Sequence, residues 1–430
     1  MDMVKIGKTI AALRKKNNFT QETLAQQLGI TAQAVSKWET GAGLPEASLL
    51  VELADLLRVN IDDVLQPEKD SIMDFMNRNL AAPDAKLLED IPKISRWDPP
   101  PGCDMAYSMP AVIAEALCCI EAYEKGESRS VTYDTLNERF CELVHVMGVG
   151  YGFLWWEKRH LAEELWRIND LGDMARRAMG YYGRDYLWLS RDNATPEEMR
   201  RAVVWSIDRG HPVVMEFAGG IPEFSIVTGY EDSGNTLIGW TYCGECATRT
   251  NAQGMFVNPA RWGEGHNFHI LVIGDAILPS YSDRDSIEYA LEVLDRKEPQ
   301  DRAAVGPEWC LAGDAALQLW LESCDTDEHT VQLFTVSDIH TFALELNSIY
   351  AQKCLLPYFR KLGERSNAKV YGIVIQIGIA IDINERERKG LEKCRKNPKK
   401  YAPACRTHIE NLIKYRESLR GWLREIADAL

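Results

Sequence analysis

Two groups of residues have the types and spacing for chemistry. The first lies in Thr20 to Gly41, TQETLAQQLGITAQAVSKWETG. At helical spacing Ala32, Gln33, Ser36 and Lys37 fall on one side, and Ala34, Val35 and Trp38 fall on the other. An amide, a hydroxyl and an ammonium on one outward face are the groups that hydrogen-bond to base edges in a major groove. The second group is scattered. Cys103 with His211 or His266 has the types of a thiol nucleophile and its base, although buried structural cysteine is the commoner case. Cys243, Cys246, His266 and His269 are zinc-ligand types at poor spacing, since nineteen residues separate Cys246 from His266 and two separate the histidines. His269 opens an apolar run and reads as a core residue, so no metal is expected. Eight Lys and Arg between Arg386 and Lys400 are interrupted by Glu387 and Glu392, which a solvated helix face explains without DNA.

The first group needs two short helices to position it. Thr20 caps the first, where Leu24, Ala25 and Leu28 form the apolar face. Gly29 closes that helix where a left-handed backbone costs least, and Thr31 caps the second. A plain helical hairpin would show more Glu and Lys pairs on its outer face. Residues 1–66 hold seven Lys and Arg (Lys5, Lys8, Arg14, Lys15, Lys16, Lys37, Arg58) against eight Asp and Glu. Five of the seven fall in the first sixteen residues, a local basic patch on an otherwise balanced unit.

With these residues in view, the segment resembles the Cro/C1-type (XRE) helix-turn-helix regulators. Gln21, Leu24-Ala25, Gly29, Trp38-Glu39-Thr40-Gly41, Pro45, Leu50 to Leu57 and Asp62 to Leu65 stand where that family has its pattern. The resemblance covers residues 1–66. It implies that Gln21 and Thr31 touch phosphate, and that Ala32, Gln33 and Lys37, with Ser36 on the same face, meet base edges of double-stranded DNA.

The whole chain is larger than such a domain. Its 430 residues are enough for two or three domains, and 46% hydrophobic with 26% charged residues is ordinary for a globular protein. Net charge is −15. Residues 1–66 account for −1 of it, so the remainder carries −14 and should repel nucleic acid. No run of eighteen apolar residues and no signal-peptide pattern occur, which predicts a cytoplasmic protein without a membrane partner. Eleven cysteines at irregular spacing fit reduced core thiols.

Pro67 ends the helical unit. Residues 67–104 read as a linker with a short helix at 73–80 and the stiff Pro99-Pro100-Pro101-Gly102 run. Helices are expected at 109–123, 133–145, 157–168 and 196–209, then strands at 212–217, 224–230, 236–242 and 268–273. Helices followed by successive strands predict α+β with an antiparallel sheet. Beyond Tyr281 the pattern is helical: 283–297, 307–323, 337–363, 367–395 and 402–428. Val370 to Ile383 is rich enough in Ile to suit a buried strand as well as a helix.

Two runs in residues 105–280 resemble the C39-like papain fold and the group related to the N-terminal domain of butirosin biosynthesis protein H. Ser108-Met109-Pro110-Ala111 stands where active members open a helix with Cys-Gly-Pro-Ala. Glu223-Phe224-Ser225-Ile226-Val227-Thr228-Gly229-Tyr230-Glu231 stands where they have a strand opening on His. Ser108 and Glu223 thus replace thiol and imidazole, and a carboxylate of ordinary pKa is too weak a base to activate a hydroxyl. Ser108 also suits a helix cap. The resemblance implies a cleft that binds without catalysing. Ser108, Glu223 and the aromatic residues Trp155, Trp156 and Trp240 are candidates to line it.

The architecture expected is multidomain. An all-α helix-turn-helix domain (1–66) and a linker (67–104) precede an α+β papain-like ligand-sensing domain with an antiparallel sheet (105–280). A helical region (281–430) suited to dimerisation follows. The function expected is a DNA-binding transcriptional regulator, a homodimer whose body senses a small-molecule effector or a partner, with no cofactor implied. The competing expectation is a cysteine-dependent hydrolase or acyltransferase with an attached DNA-binding domain.

Overall fold

The computed structural model describes residues 3–16, 19–57, 64, 83–93, 108–129, 131–152, 154–156, 169–218, 223–241, 249–262, 269–297, 310–323, 351–394 and 398–430. The chain divides into two compact units, Met1–Ala81 and Ala82–Leu430. The helices expected at 73–80 and 157–168, the turn near Asp62–Leu65 apart from Val64, and Cys103, Cys243, Cys246 and His266 lie outside the described residues.

The first unit is helical: α1 (Met3–Lys16), α2 (Gln21–Gln27), α3 (Ala32–Glu39) and α4 (Ala47–Leu57). Thr20 caps α2 in a capping box with Thr23, and the Thr31 hydroxyl accepts from the Ala34 N–H to cap α3. Gly29 sits at φ +66° in the turn between them, a conformation that costs an L side chain energy. The core joins Ile6, Ile10, Leu24, Ala25, Leu28, Val35, Trp38, Leu53, Leu57 and Val64. Gly7 lets α1 lie on the end of α3, for a Cβ there would stand 2.2 Å from the Trp38 carbonyl oxygen.

In the second unit α5 (Ser108–Glu124) runs through the interior, with all residues from Met109 to Ile120 buried. A helix apolar all round belongs in a core. It packs on α6 (Tyr133–Val146) and on one antiparallel sheet. That sheet contains β1 (Lys86–Leu87), β3 (Arg184–Ser190), β4 (Val213–Glu216), β5 (Phe224–Glu231), β6 (Thr236–Thr241), β7 (Phe256–Pro259) and β8 (His269–Ala276). Its order is β3-β8-β4-β5-β6-β7, and β1 adds to β5 by pairing Lys86 with Tyr230. Residues read as part of a linker therefore contribute a strand. Helices α7 (Leu171–Tyr182) and α8 (Pro196–Asp208) lie against β3 and β8. Thr195 caps α8 in a capping box with Glu198, and Pro196 opens it. The strand β2 (Leu154–Trp156) stands apart, paired with β9 (Cys310–Ala312) in a two-stranded sheet.

The C-terminal helices α9 (Asp283–Asp295), α10 (Gly313–Ser323), α11 (Ala351–Arg365), α12 (Ala368–Cys394) and α13 (Pro398–Ala429) pack on α6 and on each other. The Val370–Ile383 run is helical. Its buried residues Val370, Ile373, Ile377 and Ile381 fall at helical spacing against α11 and α13, and that tertiary packing overrides the β preference of isoleucine. Polar groups fix these helices to the body. Arg416, 7% exposed, gives its guanidinium to the Tyr151 carbonyl (2.9 Å), the Leu294 carbonyl (3.1 Å) and Asp314 (2.7 Å). His145 bonds Tyr151 Oη (2.5 Å) and Ser286 Oγ (2.9 Å) and stacks on Tyr358. Among the described residues no helix is long and apolar enough to cross a membrane.

Candidate functional site

On α3 the structure leaves Thr31, Gln33 and Lys37 exposed, with Ala32 and Ser36 half-buried. Ala32 packs against the core of the unit. Val35 and Trp38 anchor the helix from beneath, so the outward side chains project from a fixed support. Arg14 and Glu39 tie the other helices to it. Arg14 Nε and Nη2 reach the two Glu39 oxygens at 2.5 and 3.1 Å, and Arg14 Nη1 donates to the Phe19 carbonyl.

Gln21 enters the same knot, its Nε2 donating to Glu39 Oε2 at 2.6 Å. Burial pushes the Glu39 carboxyl up, but the hydrogen bonds from Arg14 and Gln21 outweigh it and hold the group below its ordinary value. The bond to Glu39, against desolvation, raises Arg14. Arg14, counted by sequence among the basic patch, is therefore spent internally, while Lys15 beside it is exposed. The geometry offers a polar face with one amide and one ammonium, flanked by a hydroxyl at the N-terminus of α3.

In the second unit, the ends of β4, β5 and β8 meet the start of α5. The Phe224 N–H donates to Ser108 Oγ at 3.4 Å, which sets the strand residue after Glu223 against the start of α5. The Ser108 hydroxyl thus receives a bond from the strand. Phe217, just past β4, sits at φ +60° and donates its N–H to the Glu223 carbonyl. Backbone strain of this kind costs about 1–3 kcal/mol and gathers at binding sites. Trp240 lies opposite Ile226 on β6, with its Nε1 bonded to the Ile91 carbonyl at 3.2 Å and Lys93 6.0 Å from its ring centroid. Trp155 and Trp156 belong to the two-stranded sheet, opposite Leu311 and Cys310. The five expected lining residues are therefore spread over the start of α5 (Ser108), the residue before β5 (Glu223), the main sheet (Trp240) and the two-stranded sheet (Trp155 and Trp156).

The sequence reading missed a pair at the same strand ends. His269 Nδ1 lies 2.7 Å from Oε2 of Glu216, which is 1% exposed, and the imidazole stacks on Trp188 at 5.1 Å. A carboxylate accepts, so Nδ1–H donates to Glu216. Glu216 stands between Phe224 on one side and His269 on the other. The available signal was a glutamate closing one strand run and a histidine opening another. His211, weighed with His266 as a base for Cys103, is buried with Nδ1 3.2 Å from the Ile273 carbonyl, and burial lowers its pKa. Among the described residues no group of three His, Cys, Asp or Glu could hold a metal ion.

Residues 10–64 match the Helix-turn-helix family. The chain is 38% identical over 63 residues to YazB, an uncharacterized HTH-type transcriptional regulator of Bacillus subtilis, spanning 91% of that protein and 15% of this chain. It is 39% identical over 61 residues to the cryptic phage CTXphi transcriptional repressor RstR of Vibrio cholerae, 54% of that protein and 14% of this chain. It is 36% identical over 66 residues to the HTH-type transcriptional activator BcrR of Enterococcus faecalis, 32% of that protein and 15% of this chain. The chain belongs to the Cro/C1-type helix-turn-helix transcriptional regulators. Its DNA-binding domain is the one these comparisons cover, and the sheet-containing body lies beyond it.

Proposed function

We propose that this regulator reads duplex DNA with α3. Gln33 and Lys37 meet base edges, Ala32 and Ser36 line the approach, and Gln21 and Thr31 hold phosphate. The observation that carries this reading is a capped α3 whose polar residues Gln33 and Lys37 stand exposed while Val35 and Trp38 are locked in the core. Selection from a random DNA pool would yield the operator. On it Gln33→Ala should relax preference at one position by ~1–3 kcal/mol, whereas Gln21→Ala should weaken every sequence alike. An unchanged affinity and preference for Gln33→Ala would remove this face from the interface. A single module makes too few specific contacts to find a site in a genome, so the protein acts as a homodimer on a palindromic operator.

The body is read as a papain-like, C39-like scaffold that senses a small molecule or a partner at the strand ends around Ser108 and Glu223, with Trp240 nearby and Trp155 and Trp156 on the separate small sheet. The adjacency of Ser108 and Phe224 supports that descent. Replacement of the thiol by a hydroxyl and of the imidazole by a carboxylate favours binding over catalysis, and a Glu223 carboxylate favours a cationic or hydrogen-bond-donating effector. Tryptophan fluorescence titrated with a metabolite panel tests binding. The His269–Glu216 pair favours a second reading, a hydrolase or acyltransferase, because it holds an imidazole in the manner of a general base. Thioester, ester or peptide turnover by the wild type that is lost in Ser108→Ala or Cys103→Ala would establish that enzyme and overturn the sensor.

A further inference from the structure

The hydrogen-bonding groups on and around α3 divide into those spent inside the helix-turn-helix unit and those left over. Glu39, the one carboxylate of α3, accepts from Arg14 and from Gln21, so neither that carboxylate nor the Gln21 donor is open to a base. The Thr40 hydroxyl is turned back on the Ser36 and Lys37 carbonyls at 2.9 and 3.2 Å. The Thr31 hydroxyl accepts from the Ala34 N–H at 3.3 Å, which uses a lone pair and leaves its proton for a phosphate oxygen. What remains is the Gln33 amide and the Lys37 ammonium. Both side chains are exposed, and neither has a hydrogen bond or ion pair among the described residues.

We propose that the operator half-site presents an A·T pair to Gln33 and, one or two base pairs along, a G·C pair to Lys37, an inference that rests on the reading of DNA by α3 above. The two leftover groups are not equivalent. An amide sets an acceptor beside a donor, which complements N6–H and N7 of adenine. An ammonium has donors only, which complements O6 and N7 of guanine. The Ser36 hydroxyl, half-buried on the same face, bonds to either kind of edge and selects neither. With Glu39 bound internally, α3 offers no carboxylate to the amine of cytosine. Gln33 and Lys37 stand about 6 Å apart along the helix axis. Bases stack about 3.4 Å apart on a strand, so the two side chains reach pairs one or two steps from each other. The first turn of α3 holds no acidic residue, so its N-terminus can approach the flanking phosphates without repulsion.

Selection of bound duplexes from a random pool by the full-length protein tests this. The wild type should enrich an A·T pair with a G·C pair one or two steps away. Q33E should exchange adenine for cytosine at the first position and keep the second, because a carboxylate accepts from the cytosine amine. K37Q should turn the second position toward adenine, and K37R should keep guanine. On single-base variants of the selected site, Gln33→Ala should cut discrimination at the A·T pair about tenfold or more, with an unchanged melting temperature. A wild-type consensus lacking this pair of preferences, or a Q33E protein that still selects adenine, overturns the assignment while leaving DNA reading by α3 in place. A wild type that enriches no sequence overturns both. Should Q33E bind too weakly for selection, the Gln33→Ala and K37Q measurements decide alone.

Discussion

His145 is wholly buried, held through both ring nitrogens by Tyr151 and Ser286 and stacked on Tyr358. Burial, reinforced by the Arg365 charge, lowers its pKa well below the ordinary 6.5. The unfolded chain therefore binds a proton that the folded chain refuses. Stability is full above about pH 6.5 and falls as pH drops below it. His211, lowered in the same way by burial, adds to the slope. Urea midpoints of the body measured from pH 7.5 to 5.5 should decline, and His145→Gln should reduce that slope by about one proton. An unaltered slope would show that His145 does not set it. Glu39 acts in a lower window. Its depressed pKa gives stability that is present above about 4.5 and lost as pH falls through the folded value. Glu39→Ala leaves Arg14, 8% exposed, without its carboxylate and should destabilise the helix-turn-helix unit by ~2–4 kcal/mol, read as a drop in its melting temperature. None of this was legible in sequence. Glu39 was visible as part of a pattern, but its partners Arg14 and Gln21 come from other helices.

At the scale of the element, periodicity located most of the amphipathic helices but passed over α7, whose Leu171, Met174, Ala175, Ala178 and Met179 form its buried face. The capped helices α2, α3 and α8 were legible because Thr20, Thr31 and Thr195 each stand before an apolar repeat. The strand β3 was missed because its row RDYLWLS carries charge at its start and half-buried residues on both faces. The two-residue β1 was hidden in a Pro-containing stretch, since an edge strand this short has no period. In α5 the run of small and apolar residues showed a buried helix but not the meaning of Glu115 within it. That carboxyl is 1% exposed, its Oε1 has no hydrogen-bond partner among the described residues, and burial raises its pKa well above the ordinary value. A raised carboxyl contributes stability fully present at low pH and lost as pH rises through its folded value. Glu115→Gln or Glu115→Met should therefore stabilise the protein by about 1–3 kcal/mol at pH 8 and by less at pH 5. Denaturant midpoints at the two pH values check this, and a loss of stability at pH 8 would mean that the carboxylate is wanted there.

At the scale of the whole molecule, a small, nearly balanced reading unit is joined to a body of net charge −14, and the body must add to DNA affinity by some route other than charge. Under the homodimer proposal, pairing supplies it. When two copies are joined, the second α3 docks at an effective concentration set by the linkage instead of the bulk, and avidity gains of 10²–10⁴ are typical where geometry allows both to engage. If the half-exposed apolar row Tyr371, Ile375, Ile379 and Ile383 of α12 makes the pair, I375E/I379E should bind a palindromic operator about 10²-fold more weakly than the wild type at equal salt. It should bind a single half-site equally well, because Gln33 and Lys37 belong to a separate compact unit and remain unaltered. The salt slope should fall by about half at the palindrome, as one module's phosphate contacts replace two. Fluorescence anisotropy on palindrome and half-site duplexes across a salt series reads all three quantities. Equal losses on both duplexes would place the defect in folding, and an unchanged palindrome affinity would show that the two reading units are joined elsewhere.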